Sequence, residues 1–544
     1  MPDVLVVGAG PVGLTMAAEL ARHGVPCRII DRLANPLPYC RAIGVTPRTL
    51  EVWDDMGIVQ PLIDAGLWLR STRSIVNQSP ARDIKIDYSD LPYGPLGIPQ
   101  PETERVLTEH LSRFNIPVER PVTLVSLEQD SEGITAQLTH SDGSTESAAF
   151  QYIVGCDGAH SAVRRLLAIT FEGDHFPIDF MLGDVLLDCD LPRGMMLRSI
   201  NTNENGPPDF FIAIPLPERN RFRVSMLAPS NTFGNSESAH GLQAERETPS
   251  LEQLQTVADR LLPTKTSLSD LRWSSLFRIS MRLASRYRTG RGFIAGDAAH
   301  IHPPTGGQGM NTGIQDAYNL AWKMALVLKG NTSPELLDTY EAERRPVGAD
   351  VVSRTRTQSE QFGRKEASQQ ERLADTQILL NYRGSTLSKN DVSEALENLP
   401  IQAGDRAPDC YGLHRENIRA PFRLFDITRG IDHVLLLYVG QFSAPGQAEL
   451  VESLAQKLKM TPGPKCRLVA ICSPGTERFD AIGATILIDR NNEFASAYAP
   501  GINTGYIVRP DGYIGYHARP ITESAVLNYL ETVALSSKAH NPPL

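Results

Sequence analysis

The chain has 544 residues, of which 41% are hydrophobic and 21% charged, with a formal net charge of −10. That length suits two to four domains with a substantial core, and an acidic balance without a basic run argues against a nucleic-acid partner held through its phosphates, a local basic groove being the alternative. No stretch approaches the roughly 20 apolar residues of a membrane span, and the amino-terminal apolar run follows an acid and is broken at Gly8, unlike a signal peptide.

The first predicted element is a short buried strand, Val4-Leu5-Val6-Val7. It runs into Gly8-Ala9-Gly10-Pro11-Val12-Gly13, a GxGxxG pattern, then a helix over Leu14 to His23 stopped by Gly24, then a strand Cys27 to Ile30 ending in Asp31. Each piece has a physical task in holding a dinucleotide. Gly8 permits the tight turn, Gly10 lets the backbone approach a pyrophosphate, and Gly13 lets helix and strand pack closely. The helix start supplies free N–H groups and positive potential. Asp31 falls where an acid can accept hydrogen bonds from a ribose.

A second strand–acid–turn–helix runs from Tyr152 through Asp157 to Arg164. Taken alone, any strand–turn–helix would give this pattern. Further on, Asp209 to Leu227 form two strands around a Pro-Glu-Arg-Asn turn. Phe211, Ile212 and Ile214 are candidate pocket liners there, with core packing as the alternative for each.

Gly292 to Gly296 is a strand ending in Asp297. Beyond it come the stiff pair Pro303-Pro304, then Gly306, Gly307 and Gly309, with a helix predicted from Gly309 onward. Bare glycines at a helix start suit a flat anionic group pressed against N–H donors, such as a reduced flavin, with Asp297 placed to bind ribityl hydroxyls. A capped strand–helix connection would give the same pattern. His300 and His302 are expected to pack and hydrogen-bond, since no metal-ligand cluster accompanies them.

The stretch from about Arg354 to Gly404 is polar and reads as a linker. In the tail, strands are expected over His433–Val439 and Cys466–Cys472, helices over Pro445–Leu458 and Ile521–Leu535, and a hairpin turning at Pro510-Asp511-Gly512. Seven cysteines without CxxC or metal spacing read as reduced thiols of a cytoplasmic protein.

Together, Gly8–Gly13, the "DG" of Asp157-Gly158 and the "GD" of Gly296-Asp297 resemble the three fingerprints of the single-component flavin aromatic hydroxylases, the para-hydroxybenzoate and phenol hydroxylase family. The resemblance covers roughly residues 3–360 and implies an α/β fold. A Rossmann-type FAD-binding domain (1–170 and 286–360) would be interrupted by a β-sheet substrate domain (171–285). A linker or helical segment (361–402) and a redox-inactive thioredoxin-like domain (403–544) would follow. "AGDRAPDCYG", Ala403 to Gly412, resembles the start of that last domain in phenol hydroxylases and in polyketide-tailoring and rifampicin-type monooxygenases.

Carried over residue by residue, the resemblance implies a cofactor site of Gly8, Gly10, Pro11, Val12, Gly13, Asp31, Arg32, Arg41, Gln100, Val122, Asp157, Gly296, Asp297, Pro304, Gly307, Gly309, Met310 and Asn311. It implies FAD, with NADPH or NADH as transient co-substrate and O2, hydroxylating a phenolic or polycyclic ring through a flavin C4a-hydroperoxide. The partner is a small aromatic substrate, and a homodimer is compatible with the architecture. No catalytic base and no metal site is assigned. The alternatives are a flavin oxidoreductase of this fold that does not hydroxylate, and a non-catalytic aromatic-ligand binding protein. The halogenase pattern WxWxIP is absent.

Overall fold

The computed structural model of the chain describes residues 2–38, 42–85, 87–202, 208–228, 248–303, 307–360, 369–393, 395, 398–440, 446–476 and 481–534. They fall into two compact units. The first comprises Met1–Ala21, Pro26–Ala317 and Arg345–Gln377; the second comprises Arg22–Val25, Tyr318–Arg344 and Ile378–Leu544.

The first unit is built around a six-stranded sheet with Val4–Val7 near its middle. That strand pairs in parallel with Cys27–Ile30 on one side and Tyr152–Gly155 on the other, and Tyr152–Gly155 pairs in parallel with Gly292–Ile294. Runs that are apolar throughout, such as VLVV, fit a parallel sheet covered on both faces, and all four residues are buried. The helix after the glycine turn spans Pro11–Arg22, starting three residues before the predicted Leu14. Pro11 explains the earlier start, because proline is pre-set for a first helical turn and its missing N–H costs nothing there.

A second, eight-stranded sheet belongs to the same unit. Its long strands Phe171–Leu187 and Leu268–Ala284 run antiparallel, and Asp209–Pro215 and Arg221–Leu227 form the expected hairpin. Side chains alternate across it. Met181, Val185, Phe211, Ala213 and Val224 face one way and pack with Leu254, Val257 and Leu261 of helix Leu251–Leu261. Phe211 is therefore core and not a pocket liner, whereas Ile212 and Ile214 alternate onto the opposite face. His300–Ile301, just past Asp297, is the edge strand of this sheet. The turn at Asp297 thus joins the two sheets.

The second unit carries a seven-stranded sheet. His433–Gly440 lies parallel to Cys466–Cys472 and antiparallel to Thr504–Val508, which forms a hairpin with Ile514–Arg519. Leu435, Leu437 and Leu468 pack with Val451 and Leu454 of helix Gln447–Met460 and with Val526 and Leu530 of helix Glu523–Ala534. Val434, Leu436 and Ile471 pack with Phe494, Tyr498 and Tyr506. Within 361–402, expected as a linker or helical segment, the described residues form two elements. Lys389–Val392 is a strand of this sheet, paired to Tyr516–Arg519, and Gln369–Asp375 is a helix of the first unit. The segment 441–445, where a redox thiol pair would be sought, lies outside the described residues.

This unit also buries a charge cluster. Glu343 accepts from Lys323 Nζ at 2.7 Å and from Arg509 at 2.7 and 2.9 Å. Asp511 accepts from Asn319 at 3.0 Å and Trp322 at 3.1 Å. Burial alone would raise the Glu343 carboxyl, but Arg509 and Lys323 overcome it and hold it below the usual carboxylate range. Among the described residues, no helix is long and apolar enough to cross a membrane.

Candidate active site

Three turns meet at the carboxyl ends of the six-stranded sheet. A Cβ on Gly8 would lie 2.5 Å from Cys156 O, and one on Gly13 would lie 1.8 Å from Gly8 O. One on Gly296 would lie 2.9 Å from Val12, and one on Gly313 would lie 2.8 Å from Gly296 Cα. The early, middle and late motifs therefore interlock through bare backbone. Gly10 differs: nothing lies within 4 Å of its missing Cβ. It faces open space at the start of helix Pro11–Arg22.

Asp31 braces this turn. Its carboxylate accepts from Ala9 N and Leu33 N, both at 2.8 Å. Arg120 lies 3.3 Å from Asp31 and donates to Ala9 O at 3.2 Å. Sequence reasoning missed Arg120, which no local motif marks. Val122 N donates to Asp31 O at 2.9 Å, so the chain at Val122 runs beside the acid. Arg32 is exposed, and its charge adds to burial in lowering His160. Gln100 starts helix Gln100–Ser112, donating through Nε2 to Glu104 at 2.8 Å, and burial raises that carboxyl. Arg41 and Pro304 lie outside the described residues.

Asp157 caps helix Ala162–Leu166, accepting from Ala162 N at 2.6 Å and Val163 N at 3.2 Å through one oxygen. Its other oxygen is buried without a hydrogen-bond partner among the described residues, and burial raises its pKa. Arg164, also missed, donates to Ala298 O at 2.8 Å and Ala159 O at 2.7 Å, tying the middle motif to the late one. Burial lowers it to about 10.

In the late motif, Gly296 takes a left-handed φ of +64°, and Asp297 is exposed between the buried Gly296 and Ala298. Buried Asp316 accepts from Gly296 N at 3.1 Å and pairs with His300 Nε2 at 2.7 Å. His302 Nδ1 donates to Pro303 O at 2.9 Å, and burial, with His300 second, lowers that ring to about 4. Both histidines are held by hydrogen bonds, and among the described residues no cluster of three metal-binding side chains exists.

The helix expected from Gly309 spans Gly309–Leu328. Before it, Gly307 adopts φ +65°, and its missing Cβ would lie 3.7 Å from Gly44 Cα. Gly44 pairs in turn with Gly97. Asn311, fully buried, donates to Gly44 O at 2.9 Å and Gly307 O at 2.7 Å, and accepts from Thr46 N at 3.0 Å. Its side chain is consumed in bracing, so only its backbone is left for a ligand. Met310 and Gly309 are half-buried beside it, and His302 Nε2 lies 3.5 Å from the missing Cβ of Gly309. Gly307 and Gly44 thus approach backbone to backbone, while at Gly97 the Leu69 side chain lies 3.2 Å from the missing Cβ. Pro215 O of the eight-stranded sheet lies 3.5 Å from the same Gly97 Cβ position. On the sheet face opposite helix Leu251–Leu261, the Phe180 and Phe210 rings are 5.9 Å apart. On the same face Arg223, bonded to Asp184 at 2.9 Å, lies 4.6 Å over Trp273.

An open glycine turn at a helix start, a buried carboxylate oxygen without a partner among the described residues, an exposed acid and the close Gly44–Gly307 backbone approach are compatible with an extended dinucleotide bearing a flat ring. A family model described as an FAD binding domain matches residues 1–355. A flavin-dependent monooxygenase of Mycobacteroides abscessus is 32% identical over 546 residues, covering 97% of this chain and 99% of the relative. A rifampicin monooxygenase of Rhodococcus hoagii is 33% identical over 459 residues, covering 84% and 90%. An anhydrotetracycline hydroxylase structure from Streptomyces rimosus matches with a TM-score of 0.71 at 28% identity, covering 97% and 98%. The chain belongs to the FAD-binding-domain family and is an FAD-dependent aromatic monooxygenase.

Proposed function

We propose that this enzyme hydroxylates a phenolic or polycyclic aromatic compound, using NADPH or NADH and O2. The observation that carries this reading is the backbone-to-backbone approach of Gly307 and Gly44 at the start of helix Gly309–Leu328, with Gly44 paired to Gly97, whose missing Cβ lies 3.5 Å from Pro215 O at the end of strand Asp209–Pro215. Bound FAD supplies the oxygen-activating chemistry. The protein's part is geometric and electrostatic. Gly10 and the helix start at Pro11 take the pyrophosphate, and Asp297 takes ribityl hydroxyls. The positive end of helix Gly309–Leu328 favours the negative charge of a reduced ring. The aromatic and aliphatic face around Phe180, Phe210 and Ile212 covers the substrate and excludes water.

The relatives named for rifampicin and anhydrotetracycline favour a polycyclic substrate. The chain has a single GxGxxG turn, which favours transient docking of the nicotinamide. In the second unit, the parallel strand–helix–strand of 433–472 followed by a hairpin and closing helix supports a thioredoxin-like domain. Its described cysteines are free and lack CxxC spacing, which supports a role without thiol exchange.

The reading is tested with a panel of simple and polycyclic phenols, following NAD(P)H oxidation, peroxide release and label from 18O2. At least one compound should couple oxidation to a labelled product. Stimulated oxidation that yields peroxide throughout, with no label in any ring, would refute hydroxylation and favour the non-hydroxylating oxidoreductase.

A further inference from the structure

The Gly44–Gly307 approach, where the proposed function seats the flavin ring, is held by Asn311, and Asn311 is itself held by residues outside the three motifs. Gln377 is 1% exposed and adopts a left-handed φ of +62°, uncommon for a residue other than glycine. Its Oε1 accepts from Thr46 Oγ1 at 3.1 Å and from Gln315 Nε2 at 2.8 Å. Its Nε2 donates to Thr312 Oγ1 at 2.9 Å. Thr46 caps helix Pro47–Asp55, and its N–H is the donor to Asn311. Thr312 and Gln315 lie in the first two turns of helix Gly309–Leu328. The neighbours of Gln377 repeat the tie: Asp375 accepts from Gln308 at 2.7 Å, and Thr376 O accepts from Arg48 N at 3.3 Å.

We propose that Gln377 is a positioning residue for the flavin, pinning the start of helix Gly309–Leu328 to the start of helix Pro47–Asp55 so that Asn311 holds Gly44 and Gly307 at the spacing the ring requires. Both helix starts carry positive potential, and their separation sets the field at the cradle. A buried amide whose oxygen and nitrogen are both bonded holds such a spacing rigidly. An apolar side chain of equal length would fill the space and leave the helix starts free to slide.

Gln377→Met keeps the length and removes all three bonds. On the reconstituted holoenzyme it should weaken FAD binding about tenfold or more, as the loss of one or two net hydrogen bonds predicts. It should also move the flavin midpoint potential to more negative values. Combined with Asn311→Ala, it should add no further loss of FAD affinity, because both act on the same Gly44–Gly307 approach. The proposal is overturned if Gln377→Met lowers only the melting temperature while FAD affinity and potential match the parent, or if its loss adds fully to that of Asn311→Ala. If Gln377→Met does not fold, Thr312→Val removes one bond of the three. It should shift affinity and potential the same way by less, and unchanged values would equally overturn the proposal.

Discussion

Replacing Gly10 by alanine should separate cofactor binding from folding. The added methyl meets no protein atom within 4 Å, and Gly10 is not in the left-handed region, so alanine adopts its backbone freely. The apoprotein should be as stable as the parent, or gain about 0.4–1 kcal/mol because alanine has fewer unfolded conformations to lose. The methyl does, however, occupy the space over the helix start where a pyrophosphate oxygen must approach the backbone. Losing one charged hydrogen bond there costs about 1.5–3 kcal/mol, or roughly a 10- to 150-fold loss of FAD affinity. Gly13→Ala is the contrasting control. Its Cβ would fall 1.8 Å from Gly8 O and 3.3 Å from Cys156 Cβ, so the turn itself must move. That should destabilise even the apoprotein by about 1–3 kcal/mol. Thermal melts of the apoproteins and FAD titrations followed by flavin fluorescence measure both quantities. A Gly10→Ala protein that binds FAD as tightly as the parent would show that the pyrophosphate does not lie over this turn.

Asp297→Ala should sharply reduce the FAD retained through dialysis, and a variant that stays fully yellow with parental affinity rules out the ribityl contact. Glu343→Gln takes the negative charge from between Lys323 and Arg509 and should cost about 3–5 kcal/mol in urea unfolding; a loss below 1 kcal/mol would mean that water reaches the cluster. Because Glu343 is held below its ordinary value of 4.5, its contribution is present above that pH and is lost as pH falls through the lower folded value. Burial lowers His23 and His433 from 6.5 to about 3, and His302 and His517 to about 4. The unfolded chain then binds more protons than the fold between pH 6.5 and 4, so stability rises with pH there and is lost on acidification. Each histidine contributes up to about 1.4 kcal/mol per pH unit. Urea midpoints that do not move between pH 7 and 4.5 would contradict this.

The sequence by itself determined the elements whose causes are local. A GxGxxG turn between an apolar strand and a helix, a hairpin around Pro-Glu-Arg-Asn and a helix opening at Gly309 are each set by spacing, glycine freedom and side-chain alternation within a dozen residues. Alternation also dictated that Phe211 and Ile212 point opposite ways. Which of them is core was decided only when helix Leu251–Leu261 settled on one face of the sheet. Lys389–Val392 shows the same limit, because a polar KNDV segment becomes a strand through backbone bonds to an open sheet edge and not through its side chains. Partners were the least legible. Arg120 meets Ala9 across 111 positions, Asn311 meets Thr46 across 265, and Gln377 meets Thr46 across 331. A side chain's type states what bonds it can make, but only the folded chain brings the second atom within 3 Å.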